Sequence, residues 1–216
     1  MTADQYANMI ADVFGTDIKP GKPVPPMTRT DGLLEVGAAS VGVTVGQLMQ
    51  LQRSAAAVAS QVVDNGNLER QIPSHRDFLV PCKPKDEKAA DDVCAEKFIR
   101  STGRLLFRRP LAGDKVAEFV GKAREAATNN KDFYAGLSGV LEGMLVDPLV
   151  LMVADTTEPD PKHPGHKRLD AYALASRLSF FLWNSVPDDA LLKAAETGEI
   201  YTPKGRAKIV EAMLSS

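Results

Sequence analysis

The sequence predicts a mainly α fold, with helical bundle modules joined by long Pro-rich loops, and three observations carry that prediction. Apolar residues recur at three- and four-residue spacing through most of the chain, as one face of a helix requires. Capping signals stand in front of several of these segments, most clearly Thr2 with Gln5 and Thr44 with Gln47. The one short run that reads as extended, "LVLMVA" after Pro148, has no second strand to pair with.

The first helix follows Thr2, with Tyr6, Met9, Ile10, Val13 and Phe14 on one face and Gly15 as its stop. The connector "TDIKPGKPVPPMTRTDG" has too many prolines for a helix and too few apolar residues for a buried element. Behind Thr44, Val45, Leu48, Met49, Ala55, Val58, Ala59 and Val62 form one broad face, and the alanines allow a neighbouring helix close approach. Asn65-Gly66 ends this segment, and residues 65–90 are polar and Pro-punctuated.

Asp91 or Asp92 caps a helix carrying Cys94, Phe98, Ile99, Leu105 and Leu106, which Pro110 ends. A second helix is expected from Asp114 to Ala127, and a third holds Phe133, Leu137, Val140, Leu141, Met144 and Leu145 up to Pro148. The polar loop "DTTEPDPKHPGHK" follows. From Asp170 to Asn184 the helical pattern returns, with Tyr172, Leu174, Leu178, Phe181 and Leu182 clustered and Phe180 and Trp183 widening the apolar face. So wide a face predicts a core helix docked on the preceding bundle. Pro187 opens the next helix, Asp188 and Asp189 suit its positive end, and Leu191, Leu192 and Ala195 line it as far as Gly198. A last helix begins near Pro203 and runs into Leu214. Three modules are expected: 1–80 with long loops, a compact unit over 81–154, and the start of a third, truncated unit over 155–216.

Composition narrows the function classes. A content of 44% hydrophobic and 25% charged residues is that of an ordinary globular protein. The formal net charge of -2 lacks the basic balance of a nucleic-acid binder, so no nucleic-acid partner is expected. The densest basic patch, Arg104, Arg108 and Arg109, reads as a solvated or ion-paired helix end. No apolar window is long enough for a membrane span, and the N-terminus lacks the basic-then-apolar pattern of a secretory signal.

Cys82 and Cys94 allow three readings: a disulfide, two unrelated buried thiols, or half of a metal site. No CxxC or CxxCH favours a metal or covalent haem, and the loop-to-helix placement favours the disulfide, which implies an oxidising compartment.

Three stretches carry a resemblance. "MTADQYANMIADVFG" looks like the opening of a first module. "CAEKFIRSTGRLLFRRPLAGDKV" resembles a second, marked by Cys-Ala and Arg-Arg-Pro. "LASRLSFFLWNSVPDDALLKAAETGEI" is similar to the start of a third. Together they resemble the planctomycete-type, cytochrome-linked multi-domain proteins of unknown function. The resemblance implies export to the periplasm or cell exterior, protein partners from the same assembly, and haem c on a partner chain or another domain. This chain has no CxxCH, so no cofactor is expected on it. The family's modules have no established catalytic residues, and none is carried over.

The site candidates are few. His163 and His166 in "HPGH" are weak metal candidates that read equally as a solvated loop between modules. His75 stands in the long loop beside Arg76 and Asp77, as a surface residue or an active-site histidine. Arg177 lies inside an apolar helix and must be paired there, with Asp188, Asp189 or Glu196, unless it binds an anionic substrate. Trp183 is expected to be structural. No GxGxxG, P-loop, HExxH or GxSxG is present.

The expected function is a structural or interaction part of an exported, haem-associated redox assembly. The alternative is an exported oxidoreductase or polymer-processing enzyme whose active site other modules complete, with His75, His163, His166 and Arg177 gathered in one pocket.

Overall fold

The computed structural model describes residues 1–21, 44–64 and 75–215. Among these the chain is mainly α: ten helices, one 3-10 turn and one two-stranded hairpin. The connector beyond Gly21 and the Asn65-Gly66 pair lie outside the described residues.

Helix α1 (Ala3–Phe14) is closed at its start by the reciprocal box of Thr2 and Gln5. It buries Tyr6, Met9, Ile10 and Phe14. Gly15 ends it at φ +102°, a backbone angle that a Cβ would strain. Helix α2 (Val45–Val62) has the same box, from Thr44 and Gln47. Its buried stripe starts only at Leu51, and Val45, Leu48 and Met49 are exposed, which corrects the single long face. The alanine-rich later turns are the part that packs, against α6, where small side chains allow backbones to approach.

Helices α3 (His75–Leu79) and α4 (Asp92–Leu106) follow, the latter capped by Asp91, whose carboxylate accepts the Cys94 N–H at 3.0 Å. Helices α5 (Gly113–Asn130) and α6 (Phe133–Leu145) form a tight hairpin. Lys131 supplies its left-handed stop at φ +51°, and Asp132 caps the second arm. The two helices cross at Gly136, where a Cβ would lie 2.5 Å from the Ala123 carbonyl oxygen. The "LVLMVA" run is not extended at its start. Asp147 caps a single turn there, α7 (Pro148–Leu151), because proline at the first helical position loses no hydrogen bond.

The second polar loop contains an element missed in the sequence. Strands β1 (Thr157–Pro159) and β2 (Lys167–Leu169) pair antiparallel, Thr157 opposite Leu169 and Pro159 opposite Lys167. Helices α8 (Ala171–Leu182) and α9 (Asp189–Glu196), the 3-10 turn (Glu199–Tyr201) and α10 (Pro203–Leu214) complete the chain.

Apolar packing divides into two clusters. The larger joins α1, α2 and α4 to α7 around Tyr6, Phe98, Leu137 and Met144. The smaller joins α8, α9, the 3-10 turn and α10 around Ala175, Leu191, Ile200 and Met213. Val186 crosses from the second group into the first cluster, with Phe180 packed against it. The α8 helix is only partly buried on its bulky face. Its fully buried residues are Ala173, Ala175, Ser176 and Ser179, Trp183 is half-buried, and Phe181 is 83% exposed. The short side chains let α8 lie close on its neighbours, Tyr172, Leu174, Leu178, Leu182 and Trp183 pack half-buried against the second cluster, and Phe181 turns outward.

Candidate functional site

The turn from α8 into α9 is built by polar groups that reach back to α1. Asn184 adopts φ +55°, a left-handed angle that asparagine tolerates better than most residues. Its carbonyl accepts from Asn8 Nδ2 at 3.1 Å. The Ser185 hydroxyl donates to Asp12 Oδ2 at 2.5 Å, and the buried Ser179 hydroxyl donates to the Ser185 carbonyl at 2.6 Å. Val186 plugs into the bundle core, and Asp188 caps α9 by accepting the Leu191 N–H at 2.7 Å. The indole Nε1 of Trp183 donates to the Met213 carbonyl at 2.9 Å, tying the turn to α10.

Beside this turn opens a cleft of about 630 Å³ between α1, α4 and the start of α9. Trp183, Pro187, Leu105 and Val13 give it apolar walls, and Asp12, Asp188 and Asp189 give it carboxylates. Arg104 of α4 donates to Asp189 at its edge. The cleft therefore offers an aromatic surface and a negative field, chemistry that suits a cationic or hydroxyl-bearing group. Asp12 did not stand out in the sequence, since it meets the turn across 173 positions of chain, and Leu105 stood there only as part of a helical apolar face.

The three arginines of the basic patch separate into three roles. Arg104 and Arg109 are ion-paired as expected, to Asp189 and Asp170. Arg108 is neither solvated nor ion-paired, which corrects the reading of the patch. It is 5% exposed, at φ +58°, and donates to the carbonyls of Leu106, Leu149, Val150 and Met152 at 2.7–3.3 Å. The ends of α4 and α7 leave these carbonyls without helix partners, and the guanidinium fork satisfies them. Burial, with the Arg109 charge adding to it, pulls the guanidinium down to about 10.

The candidates from the sequence are scattered. His163 and His166 sit at the tip of the hairpin, exposed, their rings 6.4 Å apart, with His163 Nδ1 2.8 Å from Asp160. Among the described residues no group of three or more possible ligands gathers around a metal position. Arg177 is paired, but its acid is Asp155 (Nε to Oδ1 2.7 Å) rather than Asp188, Asp189 or Glu196, and the pair is exposed. Helix α8 turns that face outward, so the arginine never needs a buried partner. His75 lies between two carboxylates, Nε2 2.5 Å from Asp17 and Nδ1 3.5 Å from Asp64. None of His75, His163, His166 and Arg177 lines the cleft.

Cys82 and Cys94 meet at disulfide distance, with sulfurs 2.08 Å and Cα atoms 5.6 Å apart, pinning the loop before α4 to its first turn. The hairpin is fastened to the C-terminal unit by Tyr201. Its hydroxyl donates to Glu158 and to the Leu169 carbonyl at 3.0 Å, while Arg168 lies over its ring at 3.6 Å. Burial, then the Glu158 hydrogen bond and charge, push this phenol up to about 12.

Two family models match the chain. Residues 94–155 match the one described as "PSD5: Protein of unknown function (DUF1595)", and residues 169–216 match "PSD4: Protein of unknown function (DUF1592)". These are domains of unknown function, and the second match includes the whole α8–α9 turn with Trp183 and Asp188. Neither the curated proteins nor the solved structures provide a match.

Proposed function

We propose that this chain is a structural docking unit of an exported, cytochrome-linked assembly, of the planctomycete type, in which haem c is carried by a partner chain or another domain. The observation that carries the reading is Phe181, which is 83% exposed on a helix whose neighbours are otherwise packed. Phe181 lies one turn past Arg177 on the same face of α8, and Arg177 is bonded to Asp155, in a segment that also exposes Met152 and Val153. An apolar group of this kind at a surface is a feature of interaction sites. The cysteine pair at disulfide distance supports an oxidising, extracytoplasmic compartment, and the matches to domains of unknown function agree with a modular chain. No helix among the described residues is long and apolar enough to cross a membrane.

The test is size-exclusion of the natively purified protein with absorbance at the haem Soret band recorded beside protein absorbance. Haem that co-elutes with the chain well above its 23.3 kDa supports the reading. A colourless species at that mass refutes it.

A second reading, an exported oxidoreductase or polymer-processing enzyme, is favoured by the cleft, where Trp183 stands beside three carboxylates. Saturable binding of a soluble oligosaccharide, lost in Asp188→Asn, would support it.

A further inference from the structure

We propose that Asp17, His75 and Asp64 form a pH-gated clip that holds α3 against the ends of α1 and α2 only while the imidazole is charged and both carboxylates are ionised. This inference is independent of the docking reading above.

Three separate segments meet at the ring. Asp17 lies just past the end of α1, Asp64 just past the end of α2, and His75 is the first residue of α3. Each ring nitrogen faces a different carboxylate, Nε2 at 2.5 Å from Asp17 and Nδ1 at 3.5 Å from Asp64. A neutral imidazole has one N–H, so one of these contacts would set a nitrogen lone pair against an anion. The imidazolium has two, and it attracts both acids. The Asp64 side chain is 4% exposed, and its second oxygen accepts the Arg76 N–H at 3.3 Å, so this anion is held by the first turn of α3 itself.

Among the described residues few other contacts hold α3 itself, and the chain re-enters the core at Val80 directly after it. A helix of five residues has no stability of its own, and none of its side chains is fully buried. Its other attachments among the described residues include the Arg76 guanidinium, 4.3 Å over the Tyr134 ring of α6, and Leu79, partly buried against the core. Among the described residues, the charged groups paired with the ring are Asp17 and Asp64, with Lys19 near Asp17 and Arg76 following His75 in the chain.

The pH window has two edges. His75 donates the hydrogen bond that does most to hold the Asp17 carboxyl below its usual range, and the Asp17 amide and Lys19 add to it. A carboxylate depressed in this way contributes above its unfolded value and stops contributing as pH falls through its folded value. On the other side the ring can donate to both acids only while both of its nitrogens carry protons. Opening would release α3 with Phe78, already 72% exposed, and free Arg76 from Tyr134.

The experiment is a side-chain 1H–15N NMR titration of the histidines between about pH 5 and pH 8, run with amide exchange corrected for intrinsic rates. His75→Gln assigns the resonance and supplies the control, with Asp17→Asn, at an exposed position, as a second variant. The expected result is that His75 titrates and that protection of the Val80 amide, bonded to the Arg76 carbonyl, falls about fivefold in step with it. In both variants that protection is low and insensitive to pH. A ring already neutral at the acid end, or Val80 protection unchanged across the titration or unchanged by the substitutions, overturns the clip.

Discussion

Arg109 and Asp170 meet at 3.3 Å between the end of α4 and the start of α8, with Thr156 donating to the same carboxylate at 2.5 Å. Asp170 also caps α8, accepting the Ala173 N–H at 2.7 Å. One acid thus starts the C-terminal unit and fastens it to the bundle.

Burial alone would raise the Asp170 carboxyl. The hydrogen bonds from Thr156 and the Ala173 amide, with the Arg109 charge, outweigh that and hold it below its usual range. A carboxylate depressed on folding stabilises the fold above its unfolded value, and that contribution is lost as pH falls through the folded one. Asp170→Asn should therefore lower the melting temperature at neutral pH and flatten its fall below about pH 4. Thermal melts across pH check this, and parallel curves for the two proteins would contradict it.

Gly136 and Gly139 make a matched pair on α6. A Cβ at Gly136 would stand 2.5 Å from the Ala123 carbonyl oxygen and 2.9 Å from the Ala127 Cβ, whereas one at Gly139 meets nothing within 4 Å. Gly136→Ala should cost about 1–3 kcal/mol by pushing α5 and α6 apart. Gly139→Ala should stabilise by about 0.5–1 kcal/mol, because alanine suits a helix interior better. Urea unfolding of both variants measures the opposite signs.

Arg108→Met keeps much of the stem but removes the donors that serve four carbonyls. Leaving such acceptors unmet should cost on the order of 3 kcal/mol, and Arg109→Met, at a half-exposed ion pair, should cost far less. Equal losses in chemical unfolding would contradict the capping role of Arg108.

Trp183→Ala should cost about 1–3 kcal/mol, below the range of a fully enclosed ring, because the indole is only half-buried. Trp183→Phe isolates the hydrogen bond to Met213, worth about 1 kcal/mol. Thermal melts of both variants separate the two contributions.

Reduction of the Cys82–Cys94 pair should lower stability by about 3 kcal/mol, the loop-closure entropy returned to the unfolded chain. A melting temperature indifferent to reductant would contradict this.

Local signals made the helices legible in the sequence. Thr2 with Gln5 and Thr44 with Gln47 close their capping boxes within three residues, and Pro203 opens α10 where proline costs nothing. What stayed hidden depends on distance or on size. The hairpin is made of polar residues whose pairing, Glu158 opposite Arg168, leaves no apolar alternation. Helix α8 makes its closest contacts with alanine and serine while its bulky residues pack only half-buried, so a pattern weighted by bulky residues does not show that Phe181 is left outside. The cleft needs Asp12 beside Ser185, and the clip needs Asp17 beside His75, pairs that no local spacing announces.

The central claim is that Phe181 belongs to a docking surface, and comparative size-exclusion of the natively purified protein and Phe181→Ser, with Soret and protein absorbance recorded together, tests it most directly. The natural chain should elute with haem above its 23.3 kDa, and Phe181→Ser should lose this partner while keeping its melting temperature. Two identical, colourless monomer peaks would contradict it.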